Sequence, residues 1–416
     1  MTHGDLFRVF GRIGCLSFGG PAAQIALMHR ELVEARSWLT EDQFLRALGF
    51  CMLLPGPEAM QLATYAGWRL RGIPGGLIAG TLFVLPGALV IAVLVMLYAA
   101  WGTLPLVQAA FLGVKAAVVV IVVQAILRLS RKALTDTAAI ALAVFAFLAL
   151  YVFALPFPLV IGLAALWGAL RPAAAADTAP PRVDRAALLR VLLIGGALWA
   201  APILLAWAAG ADLLLQMGLF FSKLAVVTFG GAYAVLAYMT QTVVQDQGWL
   251  TTAQMIDALG LAETTPGPLI LVTQFVGQLT GALQGGPALA AAAALMTLWV
   301  TFVPCFIWIF AGAPLIDWLE GQPRLSAALA AVTAAVVGVI ANLSLWFAIH
   351  VLFAETTVLK TGPVRLTAPV LPSGQPIALA LVALAALLLI GRRWPLPAAL
   401  AATSAAGLAA GALGLA

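Results

Sequence analysis

Apolar residues run along this chain in long unbroken stretches, and polar positions are confined to short punctuation between them. The run GLIAGTLFVLPGALVIAVLVMLYAA (76–100) exceeds the roughly 20 residues that a helix needs to cross a bilayer. The Ala/Leu-rich runs do not alternate, which argues against the strands of a membrane barrel. The pattern predicts continuous spans near 73–100, 104–127, 134–154, 156–170, 187–208, 287–312, 325–353, 376–391 and 395–414, the one at 156–170 being short.

Other stretches are interrupted. Residues 5–18 predict a helix that stops at Phe18-Gly19-Gly20, and 20–36 predict a second. Thr40 is placed to cap a helix over 41–54. Pro57 suits the first turn of a helix over 57–70, where its missing N–H is not needed. At 1.5 Å per residue these pieces of 14–17 residues reach roughly 21–25 Å. The hydrocarbon core is about 30 Å thick, so re-entrant helical hairpins are expected rather than full spans.

The interruptions recur. SFGGPAAQIALMHRELVEARSWLTEDQFLRALGFCMLLPGP (17–57) aligns without a gap on TFGGAYAVLAYMTQTVVQDQGWLTTAQMIDALGLAETTPGP (228–268), 211 residues later. Seventeen of the 41 positions are identical, including Phe18/Phe229, Trp38/Trp249, Gln43/Gln254 and both Pro-Gly-Pro steps. Farther on, VKAAVVVIV (114–122) resembles VTAAVVGVI (332–340). Such internal repeats are a common plan of secondary transporters. The expected organisation is an N-terminal repeat over 1–170, a cytoplasmic linker over 171–186, and a connecting span with the C-terminal repeat over 187–416.

Charge then orients the halves. Arg8, Arg12, Arg30, Arg36, Arg69 and Arg71 fall on one side if both first-half hairpins enter from the cytoplasm, and Arg128, Arg131 and Lys132 return to it. The linker RPAAAADTAPPRVDR (171–185) is cytoplasmic by the same rule, and one further span delivers the second half to the opposite face. There QLTGALQGG (278–286) replaces the Arg69/Arg71 loop, while Lys360 and Arg365 do not fit. The predicted fold class is therefore an all-α polytopic membrane protein. Its two homologous halves lie in inverted topology, each with two re-entrant helical hairpins plus transmembrane helices.

Composition agrees. Of 416 residues 63% are hydrophobic and 9% charged, with mean hydropathy +1.08, whereas a soluble domain carries about 25% charged residues. The net charge of +5 is dispersed, and no basic tract suits nucleic acid. Cys15, Cys51 and Cys305 stand singly, and His3, His29 and His350 are scattered, so neither a metal site nor a cofactor is indicated. Residues 1–14 lack a continuous apolar core, and no cleaved leader is expected.

The candidate chemistry lies at the breaks. A helix N-terminus offers unpaired N–H groups and partial positive charge, and binds oxyanions without Lys or Arg. Gly19-Gly20-Pro21, Pro55-Gly56-Pro57, Gly230-Gly231 and Pro266-Gly267-Pro268 each put such a terminus at a hairpin tip. Inverted halves would turn all four toward the midplane. Any one of them reads as a packing kink; four, paired across a repeat, favour a substrate path. Arg12 and its equivalent Lys223 either draw in an anion or snorkel to the interface. Ser17/Thr228 and Gln43/Gln254 offer neutral hydrogen bonds near the tips or simply pack. Glu58 and Glu263, beside the two Pro-Gly-Pro steps, either carry a coupling proton or charge a helix start. Lys115 lies mid-span with no adjacent carboxylate, Asp257 is placed at the interface, and Trp38 and Trp249 read as interfacial anchors.

SFGGPAAQIALMHREL (17–32), LLPGPEAMQLATYAGWR (53–69), GLIAGTLFVLPGA (76–88), FGGAYAVLAYM (229–239), GWLTTAQMIDALGLAETTPGP (248–268) and ANLSLW (341–346) together resemble the chromate transporter family in its long, two-domain form. The likeness covers roughly 5–130 and 215–350, although the second half lacks the proline found at position 21. It implies efflux of chromate from the cytoplasm across the inner membrane, and chromate resistance. A negative-inside potential favours anion exit by about 2.3 kcal/mol per charge per 100 mV. Sulfate or another oxyanion as cargo, and an anion channel on the same scaffold, are the alternatives. A membrane enzyme would need a nucleophile, base or metal cluster that the sequence does not offer. A homodimer is compatible with the sequence.

Overall fold

The computed structural model describes residues 2–18, 20–171, 184–229, 232–316, 322–362 and 364–414. The N-terminal helices are α1 (His3–Leu16), α2 (Gly20–His29, continued by a π-turn over Arg30–Glu34), α3 (Glu41–Leu53), α4 (Glu58–Trp101), α5 (Pro105–Ala133), α6 (Thr137–Tyr151) and α7 (Phe157–Leu170). The linker expected over 171–186 lies largely outside the described residues; then come α8 (Arg185–Ala208), α9 (Asp212–Val227), α10 (Ala232–Thr240, continued by a π-turn over Gln241–Asp246) and α11 (Thr252–Thr264). A 3-10 turn over Leu269–Leu271 leads into α12 (Val272–Gly312), and α13 (Pro323–Leu352) follows. The chain ends with β1 (Thr356–Thr361), β2 (Val364–Pro369), α14 (Pro376–Ala386) and α15 (Leu396–Ala412). Among the described residues five helical runs are long and apolar enough to cross a membrane: 58–101, 105–133, 185–208, 269–315 and 323–352.

Local chemistry explains where these elements begin. Thr40 caps α3 through a reciprocal box with Gln43, and Thr251 and Gln254 form the same pair before α11. The repeated glutamines thus serve helix starts remote from the Pro-Gly-Pro steps, not the tips, because the box needs its amide at the third helical position. The match of the halves extends to backbone detail. The π-turns at Arg30–Glu34 and Gln241–Asp246 are equivalent, and each is followed by a left-handed residue, Ser37 (φ 49°) or Gly248 (φ 62°). Pro57 precedes α4 instead of opening it: its carbonyl accepts from the Gln61 N–H at 3.1 Å, which makes it the N-cap.

Each long first limb turns back on itself. In α4 the helix breaks at Arg71-Gly72, with Gly72 at φ 63°, and in α12 at Gly285-Gly286, with Gly286 at φ 74°. A Cβ on Gly67 would lie 2.2 Å from the Gly75 carbonyl oxygen, and one on Gly80 2.3 Å from Thr64 Oγ1. The two limbs of α4 are therefore antiparallel and touch backbone to backbone. The limbs of α12 do the same through Gly277 and Gly281. Small residues permit this approach where apolar burial gives no preference among helix faces.

The chain divides into two compact units, each drawn from both halves. The first comprises Met1–Ala99, Pro172–Ala232 and Thr265–Ser326. In it α12 packs against α8 and α9, and Trp199 and Trp299 donate to the Val300 and Leu198 carbonyls at 3.1 and 2.7 Å. The second comprises Ala100–Arg171, Tyr233–Thr264 and Ala327–Ala416. There α5 packs against α11, α14 and α15, and a Cβ on Gly113 would lie 2.0 Å from the Thr403 carbonyl oxygen.

The fold is helical in the main, as expected, with one short addition: 356–369 form an antiparallel hairpin with Lys360 opposite Arg365. Tyr151 donates its hydroxyl to the Thr367 carbonyl at 2.8 Å, and the Arg365 N–H bonds the Val152 carbonyl at 2.8 Å, which seats the hairpin at the end of α6. Here β-branched residues flank a turn, a strand signal masked by the helical neighbours.

Candidate functional site

Within the first unit, α1 ends at Ser17 and α9 ends at Thr228, with nearly the same backbone (φ −79°, ψ 66° and φ −77°, ψ 81°). Each hydroxyl turns back to its own helix, Ser17 to the Ile13 carbonyl and Thr228 to the Leu224 carbonyl. Their backbone carbonyls face outward and are answered crosswise. The Gly56 N–H donates to the Thr228 carbonyl at 2.8 Å, and the Gly267 N–H donates to the Ser17 carbonyl at 2.9 Å. Each Pro-Gly-Pro step is thereby bonded to the helix end of the other half. Both glycines are left-handed, Gly56 at φ 122° and Gly267 at φ 87°, a conformation that glycine adopts without steric cost.

These two N–H groups are therefore committed to protein and are not offered to a ligand. What remains at the tips is the set of helix starts. Pro21 at the head of α2, Pro57, Glu58 and Ala59 at the head of α4, and Pro268 and Leu269 ahead of α12 line one cleft together with Gln24. First-turn N–H groups have no partner inside their own helix, and each helix start carries the partial positive end of its dipole. Three of the four tips expected from the sequence thus meet. Gly20 (φ 78°) starts α2, whereas Gly19, Gly230 and Gly231 lie outside the described residues. The space between the tips is about 10 Å3, the room one water molecule takes and less than any tetrahedral oxyanion needs. The tips are closed on one another.

Two side chains at the tips carry chemistry that the repeat did not flag. Gln24 and Gln61, both buried, donate through Nε2 to tip carbonyls: Gln24 to Gly267 at 2.7 Å and Ser17 at 3.3 Å, Gln61 to Pro55 at 2.7 Å. Each follows a Gly/Pro break by a few residues inside an apolar run, the one signal that could have found them. Cys305 lies beside the same step, and a Cβ on Gly56 would come within 2.9 Å of its Sγ.

Other expected residues lie elsewhere. Arg12 is 62% exposed, 4.0 Å from Glu31, which also pairs with Arg36. Lys223 is exposed, and neither it nor Arg12 lines the cleft. Glu263 is buried on α11 of the second unit. Trp249 is buried, and Trp38 is half-buried with Arg36 over its ring. Lys115 does have a carboxylate partner: its Nζ lies 3.0 Å from Asp257 Oδ1 within the second unit. Asp257 is fully buried there, and the pair corrects the reading of Lys115 as a charge without an adjacent carboxylate. Among the described residues no group of His, Cys, Asp and Glu could hold a metal ion.

The family model for the chromate transporter matches residues 4–169 and 215–412. A chromate transport protein of Pseudomonas aeruginosa is 34% identical, with 82% of this chain and 80% of that protein covered. One from Cupriavidus metallidurans is 32% identical over 82% of this chain and 81% of its own length. A probable chromate transport protein of Synechococcus elongatus is 30% identical, with 81% of this chain and 82% of that protein covered. No solved structure matches the chain.

Proposed function

Because the chain belongs to the chromate transporter family, we propose that it exports chromate, or a related tetrahedral oxyanion, from the cytoplasm by alternating access and so confers chromate resistance. The observation that carries this reading is the convergence of three helix starts on one cleft that no cationic side chain lines among the described residues. Broken helices at membrane depth supply N–H groups to anionic cargo in other transporters of inverted-repeat design. The cleft is closed in this conformation, which favours a gated carrier over an open anion channel on the same scaffold. Transport in the plasma membrane then requires the tips, which all belong to the first unit, to part.

In this reading Ser17, Thr228, Gly56 and Gly267 hold the tips in register, and Pro21, Pro57 and Pro268 start the helices. Glu58 is the coupling candidate at the cleft itself; Glu263 and the Lys115–Asp257 pair are candidates in the second unit. The test is uptake of labelled chromate into everted vesicles that contain the protein. Uptake above that of empty vesicles is expected under an imposed potential or proton gradient. No uptake above that background under any gradient would sink the proposal.

A further inference from the structure

The cleft contains acceptors as well as donors. Gln24 is 1% exposed and its Nε2 is turned to the Gly267 and Ser17 carbonyls. Those two carbonyls fix the amide: a flip would set oxygen against oxygen. The atom left over is Oε1, which is buried and has no hydrogen-bond partner among the described residues. A buried acceptor left unsatisfied is costly, so a group with a proton to give is strongly favoured beside it. Gln24 lines the cleft, and Glu58 is among the residues around it.

A fully deprotonated oxyanion fits half of this site. It accepts from the helix-start N–H groups but has nothing to offer Gln24 Oε1. A hydrogen-oxyanion fits both halves, its bare oxygens toward the N–H groups and its O–H toward an acceptor. We propose that the cleft takes its oxyanion with one proton still attached, and that Gln24 Oε1 accepts the hydrogen bond from that O–H. This rests on the reading of the cleft as the substrate site, and adds the protonation state of the cargo. It also supplies a basis for choosing among tetrahedral anions of one shape. Chromate keeps its last proton up to about neutral pH, whereas sulfate and selenate lose theirs in strong acid. A site that hydrogen-bonds a substrate O–H rejects analogues lacking it, because its own polar group is then left unpaired.

The test uses the full chain purified in detergent, with labelled chromate binding measured at pH 7 against four competitors. Arsenate and phosphate carry a proton at that pH; selenate and sulfate do not. Arsenate and phosphate are expected to displace chromate at concentrations about tenfold lower, the equivalent of one hydrogen bond to a charged group. Gln24→Met, close in shape but without the acceptor, is expected to abolish that gap. Selenate competing as well as arsenate on the unmodified protein would overturn the proposal, and so would a gap that persists in Gln24→Met. Should that variant fail to fold, the competitor ranking on the unmodified protein decides alone. Chromate binding that requires sodium or potassium ions would assign the acceptors to a cation and also overturn it. If the protein binds no chromate at any pH, the substrate-site reading falls as well; dianion-preferring binding would leave that reading standing and remove only the proton.

Discussion

Gly56 shows how much a single backbone position carries. Its φ of 122° is one that residues with a Cβ rarely adopt, and an added Cβ would meet Cys305 Sγ and Gln61 Nε2, each at 2.9 Å. Gly56→Ala is therefore expected to destabilise by about 1–3 kcal/mol, as strained left-handed residues do. It should also lower chromate transport more than Gly72→Ala, which is left-handed but has open space around its Cβ. Thermal unfolding in detergent and vesicle uptake measure the two effects; equal losses at both glycines would remove the special role of the tip. Residues of this kind were legible. Proline and glycine set side by side in apolar sequence announce a break, and their recurrence announces a shared one. The crossed bonds were not legible, because they join backbone N–H to backbone carbonyl and no side-chain type marks them. Gln24 and Gln61 were overlooked for a related reason: their equivalents at 211 residues are Val235 and Val272, so the repeat hid them.

Among elements, α5 and α11 show best what one pairing does. Lys115 and Asp257 meet at 3.0 Å with 14% and 0% of their side chains exposed. A buried pair is weak evidence of stability as a whole, yet losing one partner strands a charge and costs ~3 kcal/mol or more. Lys115→Met and Asp257→Asn are each expected to lower the unfolding temperature, and the double variant is expected to recover most of the loss. Additive losses in that double-mutant cycle would show that the two charges act separately. The sequence set the start of α5 to within one residue, as a span from 104, but ended it at 127 against Ala133, and α11 followed only as the repeat-equivalent of the helix expected over 41–54. It did not pair them, since contact between distant positions leaves no periodic trace. The β-hairpin escaped for a different reason: its strands are six residues each, too short to stand out from the helical runs around them.

For the whole molecule, direction across the membrane turns on the two helix kinks. The kinks at Arg71-Gly72 and Gly285-Gly286 have matching backbone geometry, but only the first is basic. If the halves are inverted, the first turn faces the cytoplasm and the second the outside. Arg71 and Gln284 are both exposed. In a chain with its three cysteines replaced by serine, Arg71→Cys should react with an impermeant thiol reagent only in everted vesicles. Gln284→Cys should react only in right-side-out cells. Reaction of both from the same face would overturn the inverted arrangement. The closed cleft adds that cargo release requires the tip bonds to loosen, so transport is expected to be gated at the site rather than at a remote door.

The crossed bonds also bear on ancestry. Gly56 is held by Thr228, and Gly267 by Ser17, so each half closes its tip with an atom borrowed from the other. A half translated alone would carry a donor and an acceptor meant for a sister. Two copies of one half, or two sister chains, could satisfy them equally well. Fusion into a single polypeptide then alters little in the contacts themselves. Its gain is to let the halves differ, so that Glu58 stands where the other half has Leu269, and a symmetrical pair of tips acquires a preferred direction.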